Sequence, residues 1–147
     1  LFERLTSNTK ALNNPIMVNG RELNLQLTAD NVALSDFNEL CGTTLGPADY
    51  LAIADNYHTL IICDIPRLGP ESRDKAKRFV TLIDALYENG VKLICSAEVA
   101  PSELYIKGDG AFEFERTASR LIEMQSKDYL YRSHADRKGI KPCTKMV

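Results

Sequence analysis

The sequence predicts an α/β fold in which a parallel βαβ unit is covered by helices and follows an N-terminal β-hairpin. Two apolar runs, 60–63 and 91–95, end at polar residues, and the amphipathic segment 70–90 separates them. A strand–helix–strand order of this length predicts two parallel neighbouring strands joined by a right-handed crossover. Because both runs are almost continuously apolar, we expect helices on both faces of the sheet.

Length and composition fit a single globular domain. The 147 residues are 44% apolar and 26% charged, with a net charge of −2. This charge gives no global field that attracts nucleic acid or an anionic membrane, so neither is expected as a partner. We find no signal peptide and no run of about 18 apolar residues, so we expect no transmembrane segment. The chain opens at Leu1 on a polar segment, and we expect it to be part of a longer protein.

The four cysteines show neither C-x-x-C spacing nor a histidine close in sequence; they are Cys41, Cys63, Cys95 and Cys143. We interpret them as reduced, small core residues of an intracellular protein. A disulfide framework or a zinc site is the alternative. No metal is predicted.

The first element is a hairpin over residues 15–27. Asn19 and Gly20 both tolerate the positive φ angles that a two-residue turn requires, which predicts strands at 15–18 and 21–27. Leucines alternate with polar residues in the second strand, so one face is expected to be apolar.

Two short helices follow. Asp36, with Glu39 three residues later, predicts a helix start, and Gly42 predicts its end. Pro47 fits the first turn of the second helix. The strand predicted next covers 58–63, so that the βαβ unit spans 58–96.

The clearest helix lies between Pro70 and Gly90. Acidic residues occupy its first turn, and one apolar stripe comprises Ala76, Phe79, Val80, Ile83, Leu86 and Tyr87. A last helix is predicted over 114–130, with Phe114, Ala118, Leu121, Ile122 and Tyr129 facing inward. Residues 131–147 carry five basic side chains against one acid and predict a flexible basic tail.

Polar side chains stand at the carboxyl ends of both central strands. In an open parallel sheet this edge collects ligands, so Asp64, Ser96 and Glu98 are weak candidates for cofactor binding. A hydrolase that used this edge would need a second acid after Asp64 to polarise water, but Ile65 occupies that position. The sequence also lacks the phosphate-binding motif G-x-x-x-x-G-K followed by Ser or Thr. The simpler reading is that Asp64 caps a turn or meets an arginine such as Arg67.

Arg116 and Arg120 are the candidate catalytic residues. They share one helical face with Glu123 and Lys127. One interpretation is a solvent face with side-chain pairs such as Glu123–Lys127. The other is that one arginine reaches a phosphate, or a carboxylate across an interface.

Four stretches resemble the C-terminal part of the ZapE-like ATPases, which are AAA-related P-loop proteins of bacteria with mitochondrial relatives. They are "FNELC", "LGPADYLAIADNYHTLIICDIPRL", "RDKAKRFVTLIDALYENGVKLICSAE" and "AFEFERTASRLIEMQSKDYL". The similarity covers about residues 15–130. It implies that residues 1–130 form the C-terminal region of a P-loop NTPase-like fold without the Walker A and Walker B motifs. Arg116 and Arg120 fall on positions of the family pattern.

The resemblance implies that a full-length parent binds ATP and Mg²⁺ and hydrolyses ATP, while this segment alone holds neither. It also implies a cytoplasmic bacterial protein of cell division beside the tubulin-like ring protein, or a mitochondrial protein linked to quality control in eukaryotes. The expected partners are the rest of its own chain, the tubulin-like protein or client proteins, and an oligomer is left open.

Three functions are consistent with these patterns. The segment completes the ATPase, through its sheet, an inter-subunit contact or a nucleotide-facing arginine. Alternatively it is an interaction module that docks a client or division partner. The third is an independent small hydrolase that uses Asp64 and Glu98. The unit 58–96 also has the order of the strand–helix–strand unit that carries the acidic motif and sensor of P-loop ATPases.

Overall fold

The computed structural model describes residues 16–18, 21–23, 25, 27–29 and 31–126. The strands are β1 (Ile16–Val18), β2 (Arg21–Leu23), β3 (Leu27–Ala29), β4 (Val32–Asp36), β5 (Thr59–Ile65) and β6 (Lys92–Ala97). The α-helices are α1 (Phe37–Cys41), α2 (Pro47–Asn56), α3 (Arg73–Glu88) and α4 (Ala111–Glu123), with 3₁₀ turns at Pro70–Ser72 and Pro101–Glu103.

A four-stranded sheet has the order β3-β4-β5-β6. The β4–β5 and β5–β6 pairs are parallel, and β3 pairs antiparallel with β4. The predicted parallel pairing of the two apolar runs is therefore confirmed, with Leu60 opposite Leu93 and Ile62 opposite Cys95. The helix α3 makes the crossover between these two strands, as a parallel connection requires.

Strands β1 and β2 form a separate antiparallel pair, with Val18 opposite Arg21. The predicted turn residues between them lie outside the described residues. The second strand was predicted to run to residue 27, but β2 ends at Leu23, and Leu27 begins β3 in the larger sheet. Alternation alone could not locate this break, because Leu23 and the intervening Leu25 are both buried.

Hydrogen bonds from backbone N–H groups to aspartate side chains mark the starts of two helices. The Asp36 carboxylate accepts from the Glu39 N–H at 2.8 Å, which confirms the predicted start of α1. At the start of α2, the Asp49 carboxylate accepts from the Gly46 N–H at 2.8 Å. Pro47 takes the first helical position, as predicted.

The long helix α3 buries four residues of the predicted stripe, while Val80 and Tyr87 are half-buried. Leu82 and Ala85 are buried in addition. Phe79 lies at its centre, with its ring centroid 5.8 Å from that of Phe37 and 6.0 Å from that of Phe114. This aromatic group joins α1, α3 and α4 in one core. Aromatic contacts of this kind add to the stabilisation that burial alone provides.

The predicted limits of α4 were wrong at both ends. The helix begins at Ala111 and ends at Glu123, where the backbone tightens so that Gln125 and Ser126 donate to carbonyls three residues earlier. Ile122 was predicted to face inward, but it is 57% exposed, and Thr117 is buried instead. Lys127, Tyr129 and the predicted tail 131–147 lie outside the described residues.

The described helices bury their apolar faces on one side of the sheet. Their core cluster includes Ala33, Leu60 and Ile62, whereas Val32 and Ile61 form a second cluster on the opposite side with Leu34, Cys63 and Ile94. The second cluster contains no residue of the described helices, so the prediction of helices on both faces is not met by them. Two successive right-handed crossovers in a β4-β5-β6 order place their helices on the same face.

In the part of the chain that the structure describes, no helix has the length and apolar character needed to cross a membrane.

Candidate functional site

The carboxyl edge of β5 and β6 brings the predicted residues Asp64, Ser96 and Glu98 together around a shallow depression of about 380 Å³. A β-bulge lies here, because three steps from Ile62 to Ile65 match two steps from Cys95 to Ala97. Bulges often turn side chains near the ends of strands.

Asp64 adopts a left-handed backbone conformation at this bulge, with φ of 61°. Residues other than glycine seldom take this conformation, although Asp and Asn tolerate it best. The Asp64 N–H donates to Ser96 Oγ at 2.9 Å, so the serine holds the bulge in place. The Asp64 side chain itself is exposed.

Glu98, rather than Asp64, contacts Arg67. Its carboxylate accepts from the Arg67 N–H at 3.0 Å, and its own N–H donates to the Ile65 carbonyl at 2.8 Å. Among the described residues, Asp64 forms no ion pair with Arg67, so the suggested pairing is not observed. Glu98 therefore ties the loop after β5 to the end of β6.

The strand edge presents no pair of adjacent acids at Asp64. Ile65 is 1% exposed and packs in the core, so no second acid follows Asp64. Among the described residues, no group of three or more His, Cys, Asp or Glu side chains is placed to hold a metal ion. The histidine nearest in sequence, His58, contacts Thr59 Oγ1 through Nδ1 at 2.8 Å at the opposite end of the strand.

The second candidate group lies between α3 and α4. Arg120 donates to Asp84, its guanidinium carbon lies 4.8 Å from the centroid of the Tyr87 ring, and it approaches Glu88 at 3.9 Å. The Tyr87 hydroxyl in turn donates to the Glu123 carboxylate at 2.6 Å. With a side chain only 20% exposed, Arg120 joins the two helices.

Arg116 is placed differently. It lies 3.6 Å from Asp84, but its side chain is 65% exposed. It lines a groove of about 620 Å³ between α3 and α4, together with Arg73 and Lys77. Of the two predicted arginines, Arg116 alone has a mostly exposed side chain.

Two residues of this cluster were missed by the sequence analysis. Asp84 receives both arginines, and Tyr87 had been assigned only to the apolar stripe. One signal was available: Asp84, Tyr87 and Glu88 are neighbours on one face of α3 at i, i+3 and i+4.

A buried polar group lies beneath α2. Cys41 and Tyr50 are both inaccessible, the Tyr50 hydroxyl donates to the Leu40 carbonyl at 2.7 Å, and Arg78 donates to the Cys41 carbonyl at 3.1 Å. Burial raises the pKa of the Cys41 thiol to about 12, so it is not a nucleophile. Cys63 is partly buried and Cys95 is exposed, and neither forms a disulfide. The prediction of a core residue thus holds for Cys41 and fails for Cys95, while Cys143 lies outside the described residues.

The fold and these clusters define an α/β domain whose four-stranded sheet has three parallel strands, with an exposed strand edge and an arginine-bearing helix. The model of the AFG1-like ATPases matches residues 1–133. The chain therefore belongs to the AFG1-like ATPase family.

Similar proteins occur in bacteria and eukaryotes. The cell division protein ZapE of Escherichia coli is 37% identical over 126 residues, which cover 85% of this chain and 34% of ZapE. An uncharacterised protein of Schizosaccharomyces pombe is 35% identical over 144 residues, covering 79% of this chain and 32% of that protein. The lactation elevated protein 1 homolog B of Danio rerio is 32% identical over 163 residues, covering 88% of this chain and 32% of that protein.

The chain spans about a third of the length of these relatives. No solved structure matches it.

Proposed function

We propose that this chain is the C-terminal segment of a P-loop ATPase and that it completes the ATPase rather than hydrolysing ATP alone. Its membership of the AFG1-like ATPase family supports this proposal. The observation that supports this proposal is the largely exposed side chain of Arg116, since its neighbour Arg120 is held between two helices. The segment thus offers one cation to a site whose other parts lie elsewhere.

This proposal does not place a complete site for ATP and Mg²⁺ on the described residues. The sequence has no glycine-rich loop with a lysine to hold phosphates, and Asp64 at the strand edge is followed by the buried Ile65 instead of a second acid. The proposal therefore assigns the binding of ATP and Mg²⁺ to the remainder of a longer parent.

In this proposal Arg116 contacts a nucleotide phosphate or a carboxylate of the parent across an interface. An arginine suits either role because its planar guanidinium donates two parallel hydrogen bonds. Arg120 serves as the residue that fixes α4 against α3. This assignment separates the two candidates, which the sequence treated alike.

The test uses the full-length protein with Arg116→Ala, and Arg73→Ala as a matched control. Arg73 lines the same groove, its side chain is 63% exposed, and it pairs with Asp109 at 3.3 Å. We expect Arg116→Ala to lower kcat for ATP by roughly tenfold or more, as loss of a charged contact to a phosphate does. Arg73→Ala should leave kcat within about twofold, since exposed ion pairs contribute little.

Thermal unfolding of both variants shows whether either substitution disturbs folding. Equal kcat values for Arg116→Ala and the unsubstituted protein, with both folded, would contradict the proposed role of Arg116. A parent that lacks ATPase activity would contradict the wider proposal.

The cellular role is proposed from the relatives. The E. coli relative is named as a cell division protein. We accordingly propose a division-related role in the bacterial cytoplasm, beside the tubulin-like ring protein, for a bacterial parent, and a mitochondrial location for a eukaryotic one. Deletion of the gene with scoring of cell length tests the first, and microscopy of a tagged protein tests both locations.

A second candidate function is docking of a client or division partner. One observation favours it: the last half of β6 is exposed, although parallel strands are usually buried.

A further inference from the structure

Strand β6 is the outer strand of the parallel part of the sheet. Among the described residues, β5 is its only strand neighbour. Cys95, Ser96 and Ala97 are exposed, whereas the paired stretch of β5 is almost wholly buried. An exposed outer strand offers its backbone to a further strand.

The backbone of β6 presents alternate groups outward. Lys92 and Glu98 donate their N–H groups to β5, at 2.9 Å to the His58 carbonyl and 2.8 Å to the Ile65 carbonyl. In a parallel ladder, alternate residues bond to the same neighbour. The N–H and C=O groups of Leu93, Cys95 and Ala97 therefore point away from β5, toward the outer side.

The same three residues line an apolar cavity of about 170 Å³. Leu121 and Met124, at the end of α4, form its other wall, with Leu104 beside them. A backbone edge with a side-chain pocket beside it is the arrangement that binds extended peptides by strand addition. The volume suits one aliphatic side chain.

Two acidic side chains stand where β6 ends. Asp64 and Glu98 are exposed around the adjoining depression, and neither forms an ion pair within the described part of the chain. This end of the edge is complementary to a basic side chain. From Cys95 to Glu98 is three residues, or roughly 10 Å at the rise of an extended strand.

We propose that the outer edge of β6 binds an extended segment of a partner protein, which adds a strand to the sheet. An aliphatic side chain of that segment fills the cavity beside α4, and a lysine or arginine about three residues away pairs with Asp64 and Glu98. The inference goes beyond the proposed ATPase role and does not depend on it. The β6 strand of a second copy is the competing occupant of this edge, and the test below distinguishes it from a partner segment.

The test measures binding of labelled synthetic heptapeptides to the 147-residue chain by fluorescence anisotropy. Each probe is a threonine peptide with one leucine and one arginine, separated by two, three or four residues in either order. A matched set carries glutamate in place of arginine. A second set carries N-methyl groups on alternate amides, which removes backbone donors and keeps the side chains.

We expect at least one leucine–arginine probe to bind. N-methylation on the bonded side should weaken its binding by roughly tenfold or more, because several backbone hydrogen bonds are lost. The glutamate probe should bind about fivefold more weakly. Amide hydrogen exchange should slow at Leu93, Cys95 and Ala97 when the probe is bound.

Protein variants locate the site. Cys95→Glu places a charge at the cavity and should abolish binding, whereas Leu51→Glu, at a 49% exposed position on α2, should not change it. The pair Asp64→Asn and Glu98→Gln removes the charges only: asparagine tolerates the positive φ, and glutamine keeps the acceptor for the Arg67 N–H. This double variant should bind the arginine probe about fivefold more weakly and the glutamate probe no worse.

Three outcomes would overturn the proposal. The first is that no probe binds although circular dichroism shows a folded chain. The second is equal binding of the N-methylated probes. The third is a dimer in analytical ultracentrifugation that Cys95→Glu dissociates, which would assign the edge to a second copy. The ATPase test on Arg116 stays unaffected by each of these results.

Discussion

Arg120 and Arg116 lie one helical turn apart on α4 and contact the same carboxylate, yet their surroundings differ. Asp84 accepts from Arg120 and lies 3.6 Å from Arg116, and the difference arises because Tyr87 covers Arg120. The sequence shows that both arginines share a face. It does not show which of them the facing helix encloses, since this depends on how α3 and α4 pack.

Asp84→Asn tests how much this cluster stabilises the fold. We expect the free energy of unfolding to fall by about 1–2 kcal/mol, less than for a fully buried pair because the Asp84 side chain is 34% exposed. Urea unfolding measures the change. Asp74→Asn is the control: its side chain is 76% exposed and lies 4.0 Å from Arg73, so a change near zero is expected. Equal effects of the two substitutions would contradict the assignment.

The buried Cys41 thiol predicts a dependence of stability on alkaline pH. Burial raises its pKa from 9.0 to about 12, and burial also raises the pKa of the Tyr50 hydroxyl. The folded state therefore holds these protons more tightly than the unfolded state. The resulting stabilisation is fully present below pH 9 and is lost as the pH rises from there toward 12.

Urea unfolding at a series of pH values between about 8 and 11 measures this effect. Cys41→Ala should lower the free energy of unfolding by roughly 1–2 kcal/mol near pH 8, because a small void is left. Its further fall above pH 9 should be smaller than in the unsubstituted chain. Parallel curves for the two proteins would show that the thiol makes no contribution.

At the scale of elements, the accuracy of the sequence analysis followed the strength of the local signal. Helix α3 was predicted closely because its apolar period is continuous and Pro70 and Gly90 bound it. The end of α4 was missed because the apolar period continues past Glu123 while the backbone tightens there. The extra step in β5 at Asp64 was also missed, since a bulge depends on the neighbouring strand and leaves no periodic signal.

The loop that leads into α4 depends on two glycines with positive φ, in different surroundings. Gly108 has φ of 135°, and a Cβ there would lie 2.4 Å from the hydroxyl of the buried Tyr105, which donates to the Asp109 carbonyl at 2.6 Å. Gly110 has φ of 83° with open space around it.

We expect Gly110→Ala to destabilise the chain by about 1 kcal/mol, through backbone strain alone. Gly108→Ala should cost roughly 2–3 kcal/mol, because the tyrosine must also move and give up its hydrogen bond. Thermal unfolding of both variants measures the difference. A smaller loss for Gly108→Ala than for Gly110→Ala would mean that Tyr105 does not fix this loop.

For the whole molecule, the two sides of the sheet differ in what the described residues place on them. One side carries the large core that joins all four helices, and the other carries the smaller cluster around Val32 and Ile61. The continuous apolar runs correctly predicted parallel strands. They could not predict this asymmetry, because a strand with two apolar faces has the same sequence pattern whether described helices cover one face or both.

The last prediction concerns the nucleotide. Binding of a triphosphate by a P-loop requires backbone N–H groups of a glycine-rich loop and a lysine, and this sequence has no such motif. We therefore expect calorimetry to show no saturable binding of Mg²⁺-ATP to the isolated chain below about 1 mM, which corresponds to about −4 kcal/mol. A full-length family member with a phosphate-binding loop serves as the positive control. Micromolar binding that Asp64→Asn abolishes would instead favour an independent hydrolase at the strand edge, because Asp64 is the exposed acid at that bulge.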